Sequence, residues 1–270
     1  MIKIKSISEE WITAQAKHIN SVQNEIYYDS QLDLVKQEEY YNSINFEQDN
    51  IFDQLYSLLV NTHTTHLDYS PHQYVYPWVD LQENRKLKSL YSGQGLDPLK
   101  IIDQDLKLLK TIQEEGFISK GRIIFNTEHV VPQSWFGEKE PMKGDLHHLF
   151  ACEPACNSMR SNFPYYDFES YVPEFQGENI RNGCGMAENE KFEPEYGKGI
   201  AARAVFYFAI RYKKVIRMES KMDLNLLLKW HKENPVNLYE KHRNAAIQDL
   251  QGNRNPFIDY PERAKEMLGL

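Results

Sequence analysis

Long hydrophobic runs are missing from this 270-residue chain. No segment approaches the roughly 18 consecutive apolar residues that a membrane span needs. Cysteine is scarce, and the three present, Cys152, Cys156 and Cys184, are too few for a dense disulfide framework. Internal repeats and low-complexity tracts are absent too. Positive charge is in the minority, with 31 basic against 39 acidic residues for a net charge of −8. Such a balance opposes binding of a polyanion over the whole surface and leaves only a local basic cleft for it. The tract Arg211-Tyr212-Lys213-Lys214 and the pair Arg243 and Arg254 are the candidates for that cleft, with solvated surface charge as the plain alternative. The N-terminus, Met1-Ile2-Lys3-Ile4-Lys5-Ser6, has no apolar core after its lysines and does not read as a signal peptide.

What is present is a hydrophobic content of 41%, enough for one sizeable core or two small ones. Residues 1–45 read as a helical, amphipathic extension, with Ser8 before Glu9 and Glu10 as a helix start and Trp11, Ala14 and Ile19 as packing positions. The body is 46–270. In it, Ile51, Leu55, Leu58 and Leu59 make a helix face, and His63 and His66 follow at its end. Tyr69 to Trp78 is aromatic and proline-punctuated, which predicts a packed loop or short strand. Asp97 is placed to cap a helix over Pro98–Glu115, with Ile101, Ile102, Leu106, Leu109 and Ile112 inward. Strands are expected over Arg122–Val131 and Asp145–Phe150, joined by a loop over 133–144, and a short helix over Glu153–Arg160. Ala201–Tyr212 is apolar on more than one face and is expected to be central. Helices are expected over Leu224–Lys232, Asn237–Leu250 and Pro261–Leu268, with turn chemistry at Gly252-Asn253-Arg254-Asn255-Pro256. Arg243-Asn244 and Asn253-Arg254-Asn255 also read as internal polar scaffolding.

The densest chemistry lies in Asn126-Thr127-Glu128-His129-Val130-Val131-Pro132, followed 28 positions after the histidine by Asn157 in Cys156-Asn157-Ser158-Met159-Arg160. A histidine can take a proton from water near neutral pH. A carboxylate and an amide oxygen suit a hard divalent cation. Together they are a minimal set for cutting a phosphodiester. Glu128 and His129 are adjacent on a strand and should face opposite ways, so one site can use both only where the strand ends or twists. Arg160, three residues past Asn157, shares its helical face and is a candidate phosphate contact. The cysteines admit free buried thiols, a disulfide or a structural zinc, C-x3-C being a loose zinc spacing without an obvious fourth ligand.

The blocks NTEHVVPQSWF, GDLHHLFACEPACNSMRSN, FEPEYGKGIAARAVFYFAIRY and QGNRNPFIDYPE occur in that order. With them the chain, over roughly 46–268, resembles the endonuclease I family of non-specific nucleases in the His-Me finger, or ββα-metal, class. The resemblance implies an α+β fold, a mainly helical body around a finger at 121–163. It implies His129 as general base with a backbone carbonyl orienting its other ring nitrogen, Glu128 and Asn157 as ligands of one Mg²⁺ (with Mn²⁺ or Ca²⁺ as substitutes), and hydrolysis of DNA, and of RNA as well, to 5′-phosphate ends. Such a finger would enter the minor groove and grip backbone rather than bases. His148 stands where such fingers carry an asparagine that pins the loop between the strands, and His147 should point the other way. Asp145 is placed to orient that loop or a ring nitrogen. Tyr91-Ser92-Gly93 matches a short signature of the family, whereas Ile200 stands where relatives carry an acidic residue. That departure leaves a second reading, a catalytically degenerate nucleic-acid-binding or interaction module on the same scaffold. Relatives are often exported, so without a visible leader the chain either stays inside the cell, has had its leader removed or is exported without one; a cytoplasmic protein is favoured, and it would require an inhibitor or regulatory partner, or a conditional trigger.

Overall fold

Lys198–Arg211 (KGIAARAVFYFAIR) carries apolar side chains on every face, and a helix of that kind has nowhere to go but the interior. In the computed structural model, which describes residues 25–115, 126–172 and 183–270, Gly199 to Arg211 are all buried. The elements around this helix are, in chain order, α1 (Ser30–Tyr40), α2 (Ile51–Thr62), α3 (Pro71–Tyr74), β1 (Leu87–Lys88), β2 (Gly95–Leu96), α4 (Pro98–Glu115), β3 (Thr127–His129), α5 (Gln133–Phe136), β4 (Leu149–Ala151), α6 (Pro154–Arg160), β5 (Gly185–Glu188), β6 (Lys191–Pro194), the central α7 (Lys198–Arg211), α8 (Leu224–Glu233), α9 (Leu238–Gln251), α10 (Pro256–Asp259) and α11 (Ala264–Met267). The strands form three separate antiparallel pairs, β1–β2, β3–β4 and β5–β6. The fold is therefore α+β. One apolar cluster surrounds α7, and a second, with Val75, Tyr76, Ile101, Leu106, Leu146 and Ile247, lies beneath β4.

Helices with a clear period and cap fall where the sequence places them. Asp97 Oδ1 accepts from the Leu99 and Lys100 amides at 3.0 and 3.2 Å, and Asn237 with Glu240 closes a capping box on α9. α9 ends at Gly252, whose φ of +92° favours glycine, and an added Cβ would meet the Thr62 carbonyl oxygen at 2.4 Å. That close approach seats the end of α9 on the end of α2.

Other segments differ from expectation. Residues 69–78 are not a loop or strand: Pro71 opens α3, which widens into a π turn over Val75–Val79. Pro77 lacks an N–H, so it interrupts the ladder, and Asp80 N instead reaches Val75 O at 2.9 Å. The second strand shrinks to Leu149–Ala151 because Asp145 accepts from the His147 amide at 3.0 Å and closes a 3-10 turn over Leu146–His148. The stretch expected as loop holds α5 and a 3-10 turn at Met142–Gly144. Hairpin β5–β6 was unmarked by any apolar alternation; Asn189 and Glu190, both at positive φ, turn it. The expected last helix is a 3-10 turn at Pro261–Arg263 followed by α11. Of the N-terminal extension, Ser8 to Ile19 lie outside the described residues, as do 122–125 of the first expected strand and the side chains of Leu109 and Ile112.

Residues 25–45 pack on the body through polar contacts. Tyr27 OH donates to the Leu81 carbonyl at 2.8 Å, and Asp33 receives Arg254 Nη1 at 2.8 Å. Arg254 is fully buried, with Asp259 on its Nε at 2.9 Å and on its Nη2 at 2.7 Å. Arg243 is equally buried, bound to Asp80 and to the Leu146 and Leu149 carbonyls. The two arginines are scaffolding and take no part in a basic cleft; in the tract at the end of α7 only Lys213 and Lys214 reach the surface, and Lys213 is paired with Asp53. Because truncating one partner strands the other's charge in the interior, Arg254→Ala should lower unfolding stability by about 3–5 kcal/mol. Urea denaturation of the variant beside the parent measures it, and an unchanged midpoint would refute the anchoring role.

Candidate functional site

β3 and β4 pair with Thr127 opposite Ala151, Glu128 opposite Phe150 and His129 opposite Leu149. Alternation sends the side chains of Glu128 and His129 to different surroundings, and the strand ends at His129, after which Val130 N bonds to the His148 carbonyl at 3.0 Å. α6 then returns to β3. Asn157 Nδ2 donates to the Thr127 carbonyl at 2.7 Å, and Arg160 Nη2 donates to the Val130 carbonyl at 2.7 Å. The unit is a short strand pair closed by a helix.

His129 is 6% exposed. Its Nε2 lies 2.9 Å from the Lys143 carbonyl oxygen. A carbonyl can only accept, so the ring proton of the neutral form sits on Nε2 and the lone pair is on Nδ1. Gln133 Nε2 is 3.1 Å from that Nδ1. The Tyr69 ring lies against the imidazole, centroids 4.9 Å apart, and His148 meets it edge-on at 5.3 Å. The loop that presents the Lys143 carbonyl is held tightly. His148 Nε2 binds the Met142 carbonyl at 2.5 Å, and Gly144 approaches Leu67 so closely that a Cβ would sit 1.8 Å from the Leu67 oxygen. His147 points the opposite way, to the Asn253 carbonyl at 3.2 Å. Asp145 beneath them accepts from Tyr207, Tyr212 and Gln251 as well as the His147 amide.

Glu128 is 2% exposed. Its Oε1 accepts from Tyr91 OH at 2.8 Å and lies 3.4 Å from Arg160 Nη1. Burial, reinforced by the Glu128 charge, pushes the Tyr91 phenol well above its ordinary value, so the tyrosine stays a donor. Tyr165 OH joins the chain at 2.8 Å from Tyr91 OH. Arg160 is 1% exposed and spans Glu128, the Val130 carbonyl and the Tyr165 ring, 5.1 Å away. Its expected phosphate contact would require the guanidinium to leave these partners. The Asn157 amide nitrogen is committed to Thr127, which fixes Oδ1 as the atom left for a ligand. One carboxylate and one oriented amide oxygen form a hard donor set, and that chemistry fits Mg²⁺ better than a soft metal.

The cysteines settle differently from a zinc site. Cys156 and Cys184 form a disulfide, and Cys152 is a buried thiol. A disulfide leaves no thiolate for zinc, and among the described residues no three His, Cys, Asp or Glu side chains cluster as metal ligands. The bond ties α6, next to Asn157, to the start of β5. His63 is 3% exposed at the end of α2, its Nδ1 3.9 Å from Asp145 Oδ2. Ile200 lies buried in the first turn of α7. Three contributors escaped the sequence: Tyr91, noted only within its motif, Tyr165, and Gln133. Gln133 carried one signal, its place four residues past His129.

Comparison with known proteins gives the same region a context. The sequence model of the family described as Endonuclease I matches residues 48–262. An extracellular ribonuclease of Bacillus amyloliquefaciens is 36% identical over 161 residues, 53% of this chain and 53% of the relative. An extracellular ribonuclease of Bacillus subtilis (strain 168) is 32% identical, covering 53% of this chain and 54% of its own. A periplasmic deoxyribonuclease of Aeromonas hydrophila is 29% identical over 49% of this chain and 62% of its own. The chain thus spans about half the length of the curated relatives it matches. Their compartments overturn the expectation of a cytoplasmic protein, and the Cys156–Cys184 bond agrees, since disulfides persist in oxidising compartments.

The buried histidine under the site sets a pH limit. Burial pushes His147 from 6.5 down to about 4 against the pull of Asp145, and His72 moves the same way. The folded state therefore binds fewer protons than the unfolded chain between these values, so stability is full above pH 6.5 and is lost as pH falls toward about 4. Unfolding free energies from urea titrations at pH 7 and pH 4.5 should differ by on the order of 2–3 kcal/mol for each of these histidines; a flat profile across that window would contradict a neutral, buried His147.

Proposed function

The chain belongs to the endonuclease I family, and from that premise we propose that it is a metal-dependent endonuclease of low sequence specificity acting on DNA and RNA outside the cytoplasm. The observation that carries the reading is the pairing of a tautomer-fixed histidine, His129, with an adjacent carboxylate and an oriented amide oxygen on one strand–strand–helix unit. We read that unit as a His-Me finger. The Lys143 carbonyl holds the His129 proton on Nε2 and leaves Nδ1 to take a proton from water. Glu128 and Asn157 would hold one Mg²⁺, or Mn²⁺ or Ca²⁺ in its place. When bound, the ion supplies charge stabilisation at the phosphoryl and leaving 3′ oxygens. Tyr91 and Arg160 hold the Glu128 carboxylate in position. Attack of water with loss of the 3′ oxygen leaves a 5′-phosphate. The phosphodiester linkage is the bond cut in both RNA and DNA, so relatives named as ribonuclease and as deoxyribonuclease support a grip on phosphates rather than on bases.

The degenerate-scaffold reading draws on Ile200, on the acidic net charge and on Arg160, which already neutralises Glu128. Supercoiled plasmid separates the two. With Mg²⁺ the protein should nick and then degrade it, EDTA should stop cutting, and His129→Ala should lose about 10²–10⁴-fold in rate, the usual contribution of a general base. Absence of cutting under any divalent metal would leave the scaffold reading. Tyr91→Phe should cost about 10–100-fold in metal affinity or activity, as partners behind a ligand do. A titration of rate against Mg²⁺ gives this value, and a curve matching the parent's would remove Tyr91 from the site.

A further inference from the structure

The Nδ1 lone pair of His129 already has a donor. With Nε2 fixed as the N–H by the Lys143 carbonyl, Nδ1 can only accept, so Gln133 presents its amide N–H group to it across 3.1 Å. An imidazole nitrogen has one in-plane lone pair, and a water cannot use it while an amide does. The Gln133 backbone is fixed: Pro132 turns the chain into α5, and the Gln133 carbonyl accepts from the Glu138 amide at 3.0 Å. Its half-buried side chain alone can move.

We propose that Gln133 caps the basic nitrogen of His129 in the substrate-free protein and is displaced when a nucleic-acid backbone enters. The inference rests on the reading of His129 as the base of a nucleic-acid-cleaving site. It adds that the uncombined protein is held in a resting form in which that base does not touch water. Phosphate oxygens offer the displaced amide an equivalent acceptor, so the exchange costs little. Gln133 then sets the moment at which Nδ1 becomes available, rather than the chemistry that follows.

The test uses the full chain with nitrogen-15-labelled histidine, the His129 signals being assigned by their loss in His129→Ala. The shift of an imidazole nitrogen follows the donor that it accepts from. Nδ1 of the parent should therefore resonate at a position distinct from that in Gln133→Ala and in Gln133→Met, which keeps the bulk of the side chain without the donor and leaves the lone pair to water. A short DNA duplex in EDTA, at a concentration that saturates binding by fluorescence anisotropy, should move the parent signal away from its capped position. With Mg²⁺, both variants should keep kcat within about twofold of the parent, because the cap is already displaced in the bound state and the exchange is nearly neutral. Coincident Nδ1 signals in parent and variants, a bound duplex that leaves the parent signal capped, or a fall in kcat beyond that in both variants would each overturn the cap. A duplex that does not bind, or a parent that cuts nothing while the parent and variant signals differ, overturns instead the reading of the site beneath it.

Discussion

The guanidinium of Arg243 is the constraint on which the rest of the molecule hangs. It enters from α9 and takes the carbonyls of Leu146 and Leu149, one on each side of the 3-10 turn, while its other arm meets Asp80. Asp80 in turn accepts the Ala151 amide at 2.5 Å with its second oxygen. One buried ion pair thus fixes the approach, the start and the end of β4. β4 is the partner of β3, and β3 carries the two side chains of the site. A charge pair this deep is justified less by its own energy, which desolvation largely offsets, than by the number of backbone groups it satisfies.

The same economy accounts for where an acidic chain keeps four of its arginines. Arg160, Arg203, Arg243 and Arg254 are all nearly inaccessible, and each has a carboxylate partner: Glu128, Glu240, Asp80, and Asp33 with Asp259. Counting charges along the sequence treats these residues as surface, and they are not. The basic side chains that remain at the surface include Lys213 and Lys214, beside the rings of Phe52 and Tyr56, and Arg217.

Legibility of the fold followed the range of the forces involved. α2, α4, α8 and α9 were readable because period and cap are local, and α7 because its apolar side chains cover more than one face. The 3-10 turn before β4 was not readable, since its carbonyls are taken by an arginine 94 and 97 residues away in sequence. At the site, Glu128, His129 and Asn157 were visible as residue types in an order. Their neighbours were not: Tyr91 reaches Glu128 across 37 positions, and Arg160 turned inward to Val130 and Glu128 where helical spacing alone suggested an outward contact. The cysteines followed the same rule, because spacing could not say that Cys156 would meet Cys184 and leave Cys152 aside.

Alternation along β3 has a consequence for how such a site can change over generations. The histidine is held by a loop carbonyl and its packed rings, the glutamate by a tyrosine pair and an arginine from a different helix, and Tyr69, which lies against the imidazole, also feels the glutamate charge. A substitution at Tyr91 or Arg160 leaves the Lys143 carbonyl in place beside the histidine. The surroundings of the two residues can therefore vary largely apart, with Tyr69 as a link between them across a three-residue strand.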